Sequence, residues 1–137
     1  MKKEKCVLIV DDTMPLGAIA NTVAVLSVSL GKLRPEIVGE SLIDSDGYTH
    51  QGITTLAIPI LRGNGPLLKH LRNRAREFEP DLLIVDLIGA TKSTKSYEEY
   101  AEVLRRGPAD AIEYIGLGLF GDKTTVSSLT GSLGLLR

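Results

Sequence analysis

Charge is missing from the longest apolar stretch of this 137-residue chain: Thr13 to Gly31, nineteen residues, holds no Asp, Glu, Lys or Arg. Tryptophan is absent, histidine occurs twice and cysteine once. The lone Cys6 cannot form an internal disulfide, so a reducing, cytoplasmic setting fits the composition. Inside the apolar run CVLIV it reads as a small buried hydrophobe and not as a nucleophile. His50 and His70 stand in no metal-ligand spacing with each other or with Cys6. Asp44-Ser45-Asp46-Gly47 lacks the rest of a calcium loop. No metal and no cofactor are therefore expected. An excess of basic charge is lacking too. Sixteen Lys and Arg stand against seventeen Asp and Glu, a net charge of −1, which argues against nucleic acid as a partner. Repeats, linkers and low-complexity tracts are absent, and the length is that of one domain, residues 1–137.

A signal peptide is disfavoured because Glu4 and the Asp11-Asp12 pair interrupt its pattern. As a helix, residues 13–31 would reach about 28 Å, just enough to cross hydrocarbon. Thr13, Asn21, Thr22, Ser27 and Ser29 are polar, however, so the reading is a buried helix and no membrane partner.

Strands and helices alternate. The first strand covers Lys5 to Asp11, and Asp12 or Thr13 is placed to cap the helix that follows, with Pro15 in its first turn. Leu16, Ile19, Ala20, Val23, Leu26 and Leu30 recur at helical spacing and define an inward face. Apolar residues elsewhere on this helix predict cover on a second side, from another helix or another subunit. Residues 35–52 read as a small hairpin insertion turning at Asp46-Gly47. TTLAIPIL, Thr54 to Leu61, is a second core strand, and a basic helix ended by Pro80 follows Pro66. DLLIVDLIG, Asp81 to Gly89, reads as a central strand covered on both faces. SYEEYAEVLRR is a helix, AIEYIGLGLF a strand and DKTTVSSLTGSLGLL a closing helix that ends near Gly131. The order predicts a three-layer α/β/α domain around a mixed, mostly parallel central sheet of about four strands.

Ligands in open α/β sheets favour the carboxyl ends of strands. Asp11, Asp12 and Asp86 all stand at such ends, and as neighbours they could converge on a cation, a sugar hydroxyl or an amine. The plainer reading has Asp12 capping the helix and Asp11 solvated. Asp86 is flanked by LLIV and LI, so its carboxylate needs a partner or a solvent-lined cleft. It is the candidate catalytic residue. Asn21 and Thr22, the first polar interruptions of the opening helix, and Thr91 and Lys92 after the third strand are candidate ligand-binding residues. His50 is a candidate base if it approaches Asp86 or Thr91. Gly116-Leu117-Gly118-Leu119-Phe120-Gly121 matches a dinucleotide fingerprint literally, but too little chain follows for the second strand that motif requires. Tight packing is the favoured role for its glycines. Lys69, His70, Arg72, Arg74 and Arg76 make one helix basic, a solvated face or a weak phosphate patch.

Both ends of the chain resemble the type 2 peptidyl-tRNA hydrolases. Gly17-Ala18-Ile19-Ala20-Asn21-Thr22-Val23-Ala24-Val25 stands where that family has a Gly-Lys-x-Ala-Ala-Gln-x-Ala-His pattern. Gly116-Leu117-Gly118 and Thr130-Gly131-Ser132-Leu133-Gly134-Leu135-Leu136 match its closing strand and helix. SLG, TTLAIPIL, YEEY and LTGSLGLLR resemble still more closely a bacterial group, domain of unknown function 2000. The resemblance implies a peptidyl-tRNA hydrolase II-like fold, with Asp86 at the family's functional aspartate. Ala18 replaces its lysine and Val25 its histidine, and neither can hold a phosphate or polarise an ester. The expectation is a binding or regulatory protein for a small molecule on that scaffold. The alternatives are a hydrolase or transferase rebuilt around Asp86 and, more weakly, an RNA-binding protein using the basic helix. A homodimer through the opening or the closing helix is expected.

Overall fold

The computed structural model describes residues 3–137, the side chain of Lys92 excepted. Six strands and four helices follow one another as β1 (Glu4–Asp11), α1 (Leu16–Leu33), β2 (Leu42–Ile43), β3 (Thr49–His50), β4 (Ile60–Gly63), α2 (Gly65–Ala75), β5 (Leu83–Ile88), α3 (Tyr97–Arg106), β6 (Tyr114–Asp122) and α4 (Lys123–Thr130). The central sheet has the order β4-β1-β6-β5. It is mixed, but not mostly parallel as the alternation of elements suggested. Only β1 and β4 pair in parallel, while β6 runs antiparallel to both β1 and β5. The chain after α3 enters β6 from the opposite end, which alternation alone cannot reveal.

The two faces of the sheet carry separate cores. Cys6, Leu8 and Val10 on β1 point to one face and join Leu26 and Leu30 of α1. Val7 and Ile9 point to the other and join Leu68 and Leu71 of α2 and Val126 of α4. This alternation is the period-two geometry of a strand, and it yields three layers. Each fully buried Leu or Ile here contributes about 1.5–3 kcal/mol relative to exposure. The two glycines of β6 are what lets α1 lie so close. A Cβ on Gly116 would stand 2.5 Å from Thr22 Cγ2, and one on Gly118 would stand 3.0 Å from Leu30 Cδ1. The fingerprint-like glycines are thus part of a strand and act in packing.

Several sequence expectations shift in detail. β5 is an edge strand, half-buried along most of its length, and the central strands are β1 and β6. Of the expected Thr54–Leu61 strand only Ile60 and Leu61 pair with β1, in a strand that runs on to Gly63, because Pro59 has no N–H to give the ladder. The outer edge of β4 is closed by the C-terminal segment, through Arg62 N to Gly134 O and Leu136 N to Ile60 O. Helix α1 buries Ile19, Thr22, Leu26 and Leu30. Leu16 is 82 % exposed and Ala20 is exposed, so neither belongs to the inward face. Neither Asp12 nor Thr13 caps α1. Asp11 instead accepts from the amide and the hydroxyl of Thr13, a tight turn that delays the helix until Leu16.

The hairpin appears where residues 35–52 predicted one. After a helical turn at Pro35–Ile37, Leu42 pairs with His50 and Ile43 with Thr49. Gly47 turns with φ +87°, and the Asp44 carboxylate accepts from the amides of Asp46 and Tyr48 and bonds His50 Nε2 at 2.7 Å. That hydrogen bond to His50 holds the Asp44 carboxyl below its ordinary pKa.

Candidate functional site

Because β6 is antiparallel to both its neighbours, β4, β1 and β5 all run in one direction. Their carboxyl ends, Gly63, Asp11 and Ile88, therefore meet one edge of the sheet. A cleft of about 840 Å3 opens there. The start of α2 at Gly65 and Pro66 forms one wall, with Lys69 a turn further on. Ile88 to Ala90 forms a second wall, and the segment from Gly107 to Ile115 closes the third. Most of the lining is apolar, including Val103 and Ile112.

A bulge shapes this end of the sheet. Leu87 pairs with Gly116 and Ile88 with Tyr114, which leaves Ile115 as an extra residue in β6. Ile115 and Gly116 consequently both face α1, while Tyr114 belongs to the core on the α2 side. Bulges re-aim side chains in this way beside sites. Tyr100 of α3 docks on the same corner, its hydroxyl accepting from the amide of Ile88 at 3.0 Å. Burial raises the Tyr100 pKa above its ordinary value.

Several polar groups at the cleft are held by neighbours, while the Glu113 side chain, also in the lining, is exposed. Asp11 Oδ1 accepts from Thr13 N at 3.0 Å and from Thr13 Oγ1 at 2.6 Å. Asn64 caps α2 by accepting from Leu67 N at 2.9 Å, so that amide is already satisfied. Lys69 Nζ donates to the carbonyl oxygen of Asp110 and ties α2 to the facing wall. The arrangement offers an apolar trough with two carboxylates, Asp11 and Glu113, and one ammonium, Lys69, among its lining.

Asp86 does not line this cleft. It faces α2, where Arg72 Nε donates to its Oδ2 at 2.8 Å and Arg72 Nη1 donates to Glu79 Oε1 at 2.9 Å. The Arg72 side chain is 9 % exposed, its partners 28 % and 33 %. Burial disfavours the Arg72 charge, but the Glu79 and Asp86 hydrogen bonds outweigh it and raise its pKa above the ordinary value. Asp86 is thus the partner of a buried cation, the first of the two requirements its apolar flanks imposed. The sequence places Arg72 on a solvated basic face of this helix, yet Leu68, Leu71, Arg72 and Ala75 share the inner face of α2 at helical spacing. That periodicity was the available signal.

The remaining candidates are scattered. Asp12 is exposed beyond β1, with its amide on Gly63 O. Asn21 is exposed on the outward side of α1. Thr22 is buried, its hydroxyl donating to Ala18 O at 2.9 Å. Thr91 is half-buried and its hydroxyl donates to Ile88 O at 3.3 Å. The Lys92 side chain lies outside the described residues. His50 is paired with Asp44 in the exposed hairpin and not with Asp86 or Thr91. Of the three aspartates only Asp11 reaches the cleft, and among the described residues no group of His, Cys, Asp and Glu could hold a metal ion. The basic helix is divided as well. Arg72 turns inward and Lys69 is tied to Asp110, which leaves His70, Arg74 and Arg76 exposed. Burial pushes the Cys6 thiol up to about 11, which makes it a poor nucleophile.

No curated protein matches this sequence. A solved structure of a protein of unknown function from Agrobacterium tumefaciens strain C58 is similar over 100 % of both chains, with a TM-score of 0.89 at 20 % identity. That likeness concerns the fold. The model of the family described as protein of unknown function, DUF2000, matches residues 4–137. With nearly every residue of the sheet, the helices and the cleft inside that match, this chain belongs to the DUF2000 family.

Proposed function

We propose that the cleft at the carboxyl ends of β1, β4 and β5 binds a small organic molecule with an apolar body and one polar end. The observation that carries the reading is the cleft itself. Its volume of about 840 Å3 lies within the range of ligand sites, and it sits where open α/β sheets hold ligands. Asp11 and Lys69 suit a polar group bearing both a donor and an acceptor, while Val103 and Ile112 suit a ring or chain. A binding or regulatory role is favoured over catalysis. On the type 2 peptidyl-tRNA hydrolase-like scaffold that the sequence resembles, the lysine and histidine positions are Ala18 and Val25 on α1, and neither lines the cleft. The alternative of a rebuilt hydrolase centre rests on Asp86, which is engaged by Arg72. A buried unpaired thiol suits the reducing, cytoplasmic setting in which such a ligand would be met.

Thermal-shift screening of a metabolite library tests this. A ligand present at a hundred times its Kd adds about 2.7 kcal/mol of stability. Ala111→Trp, at an exposed cleft-lining position, should fold normally and lose the shift, whereas Asp86→Asn should keep it. A stabilising compound whose effect survives Ala111→Trp would place its site elsewhere. Turnover of that compound, abolished by Asp86→Asn, would favour the hydrolase or transferase.

A further inference from the structure

Residues 40–51 are all exposed, so the hairpin stands away from the body as an arm. Its stem is ordered by Gly39 N to Ile53 O at 2.9 Å and Thr55 N to Ile37 O at 2.8 Å, and a Cβ on Gly52 would overlap the Gly39 carbonyl. The arm exposes large apolar side chains on both faces: Leu42 at 67 %, Ile43 at 73 %, Tyr48 at 71 % and Ile53 at 80 %. Two-residue strands with no face packed are marginal in water by themselves. A second surface is also unpartnered. The outward side of α1, along Gly17, Ala20, Asn21, Ala24 and Val28, is uncharged, and no helix lies over it among the described residues.

Two observations indicate that one chain's arm meets another chain's α1. The first is area. A monomer of 14.8 kDa should expose about 7,000 Å2. This chain exposes 8887 Å2, roughly 1,900 Å2 more, and a standard interface takes about 800 Å2 from each partner. The second is charge. Residues 39–53 carry Glu40, Asp44 and Asp46 with no Lys or Arg, while the last turn of α1 carries the exposed Lys32. We propose that this protein forms a two-fold homodimer in which the arm of each copy, residues 39–53, lies on the outward side of the other copy's α1. Two-fold symmetry makes the contact twice from one donor surface and one receiving surface. A membrane is the less suitable partner, because interfacial helices rim their apolar face with several basic residues and α1 has only Lys32 within its span.

Sedimentation equilibrium on the full chain, with Ile43→Asp in the arm and Ala24→Glu on α1, tests the proposal. Both sites are exposed, so circular dichroism should be unchanged. Wild type should sediment as a dimer, and each variant should dimerise at least about tenfold more weakly. Mixing the two variants should restore a heterodimer through the one intact arm and α1 pair. A monomeric wild type would overturn the proposal, as would a dimer indifferent to both substitutions. A mixture that stays monomeric would mean arm on arm or α1 on α1, and overturns it equally. Flotation of wild type with anionic phospholipid vesicles, lost in Ala24→Glu, together with a monomer in solution, would assign the α1 surface to a membrane.

Discussion

The two layers that cover the sheet solve the same packing problem with opposite chemistry. On the α1 side the contact beneath the helix is apolar: Cys6, Leu8 and Val10 meet Leu26 and Leu30, and glycines 116 and 118 bring the backbone of β6 close to the helix. On the α2 side the same sheet accepts a buried arginine, which bridges Asp86 and Glu79, and opens into the cleft beyond it. The lesson is where ligands can be met. A helix pressed onto glycine leaves no room beneath it, while a helix standing on larger side chains and an ion pair leaves space at its end.

The strongest challenge to this contrast is to place a charge on the apolar α1 side by pH. The folded Cys6 thiol titrates near 11 against an ordinary 9.0, so its contribution to stability is complete below pH 9.0 and is lost as pH rises through 11. Sign and size follow from linkage: wild type should lose about 2–3 kcal/mol relative to Cys6→Ala across that window. Denaturation with urea at pH 8 and pH 11 measures it, and equal losses in both proteins would show that the thiolate is tolerated there.

Gly116→Ala probes the closeness of α1 without charge. The added methyl meets Thr22 Cγ2, and the Thr22 hydroxyl bond to Ala18 O resists rotation away, so about 2 kcal/mol of destabilisation is expected. Thr22→Ser removes the opposing methyl and should recover most of it in the double variant. Strict additivity of the two changes would mean that the helix yields instead.

On the α2 side, Arg72→Ala strips Asp86 and Glu79 of their cation. Both carboxylates keep partial access to water, so the loss should be smaller than for a fully buried pair, about 1–2 kcal/mol. Adding Asp86→Leu to Arg72→Met should restore part of the stability, because the remaining cost is an unpaired charge. No recovery, or loss of ligand binding in the double variant, would return Asp86 to the site.

Much of the fold was legible in the residues. The alternation of CVLIV, LLIVD and YIGLGLF with helical repeats predicted the three layers, and Asp46-Gly47 marked the hairpin turn. Gly116 and Gly118 were read as packing residues, and the structure shows what they pack against. The site was less legible. Asp11 reaches the cleft, whereas Asn21 and Thr22 were drawn to it only as polar breaks in an apolar helix. One of those proves outward-facing and the other buried, since a polar residue on a helix says nothing about which face it occupies until the sheet contact is known. Gly107 to Ile115, a whole wall of the cleft, carried no motif at all.

What the sequence alone determined is local: the strands and helices, their apolar faces, and the absence of charge from Thr13 to Gly31, because periodicity and composition act over a few residues. The tertiary structure decided the rest. Strand order put β5 at an edge and reversed β6, which brought three strand ends to one cleft, and chain direction in a sheet is set by contacts far apart in sequence. It also gave the uncharged stretch its two roles, one side closed on glycine and the other left open.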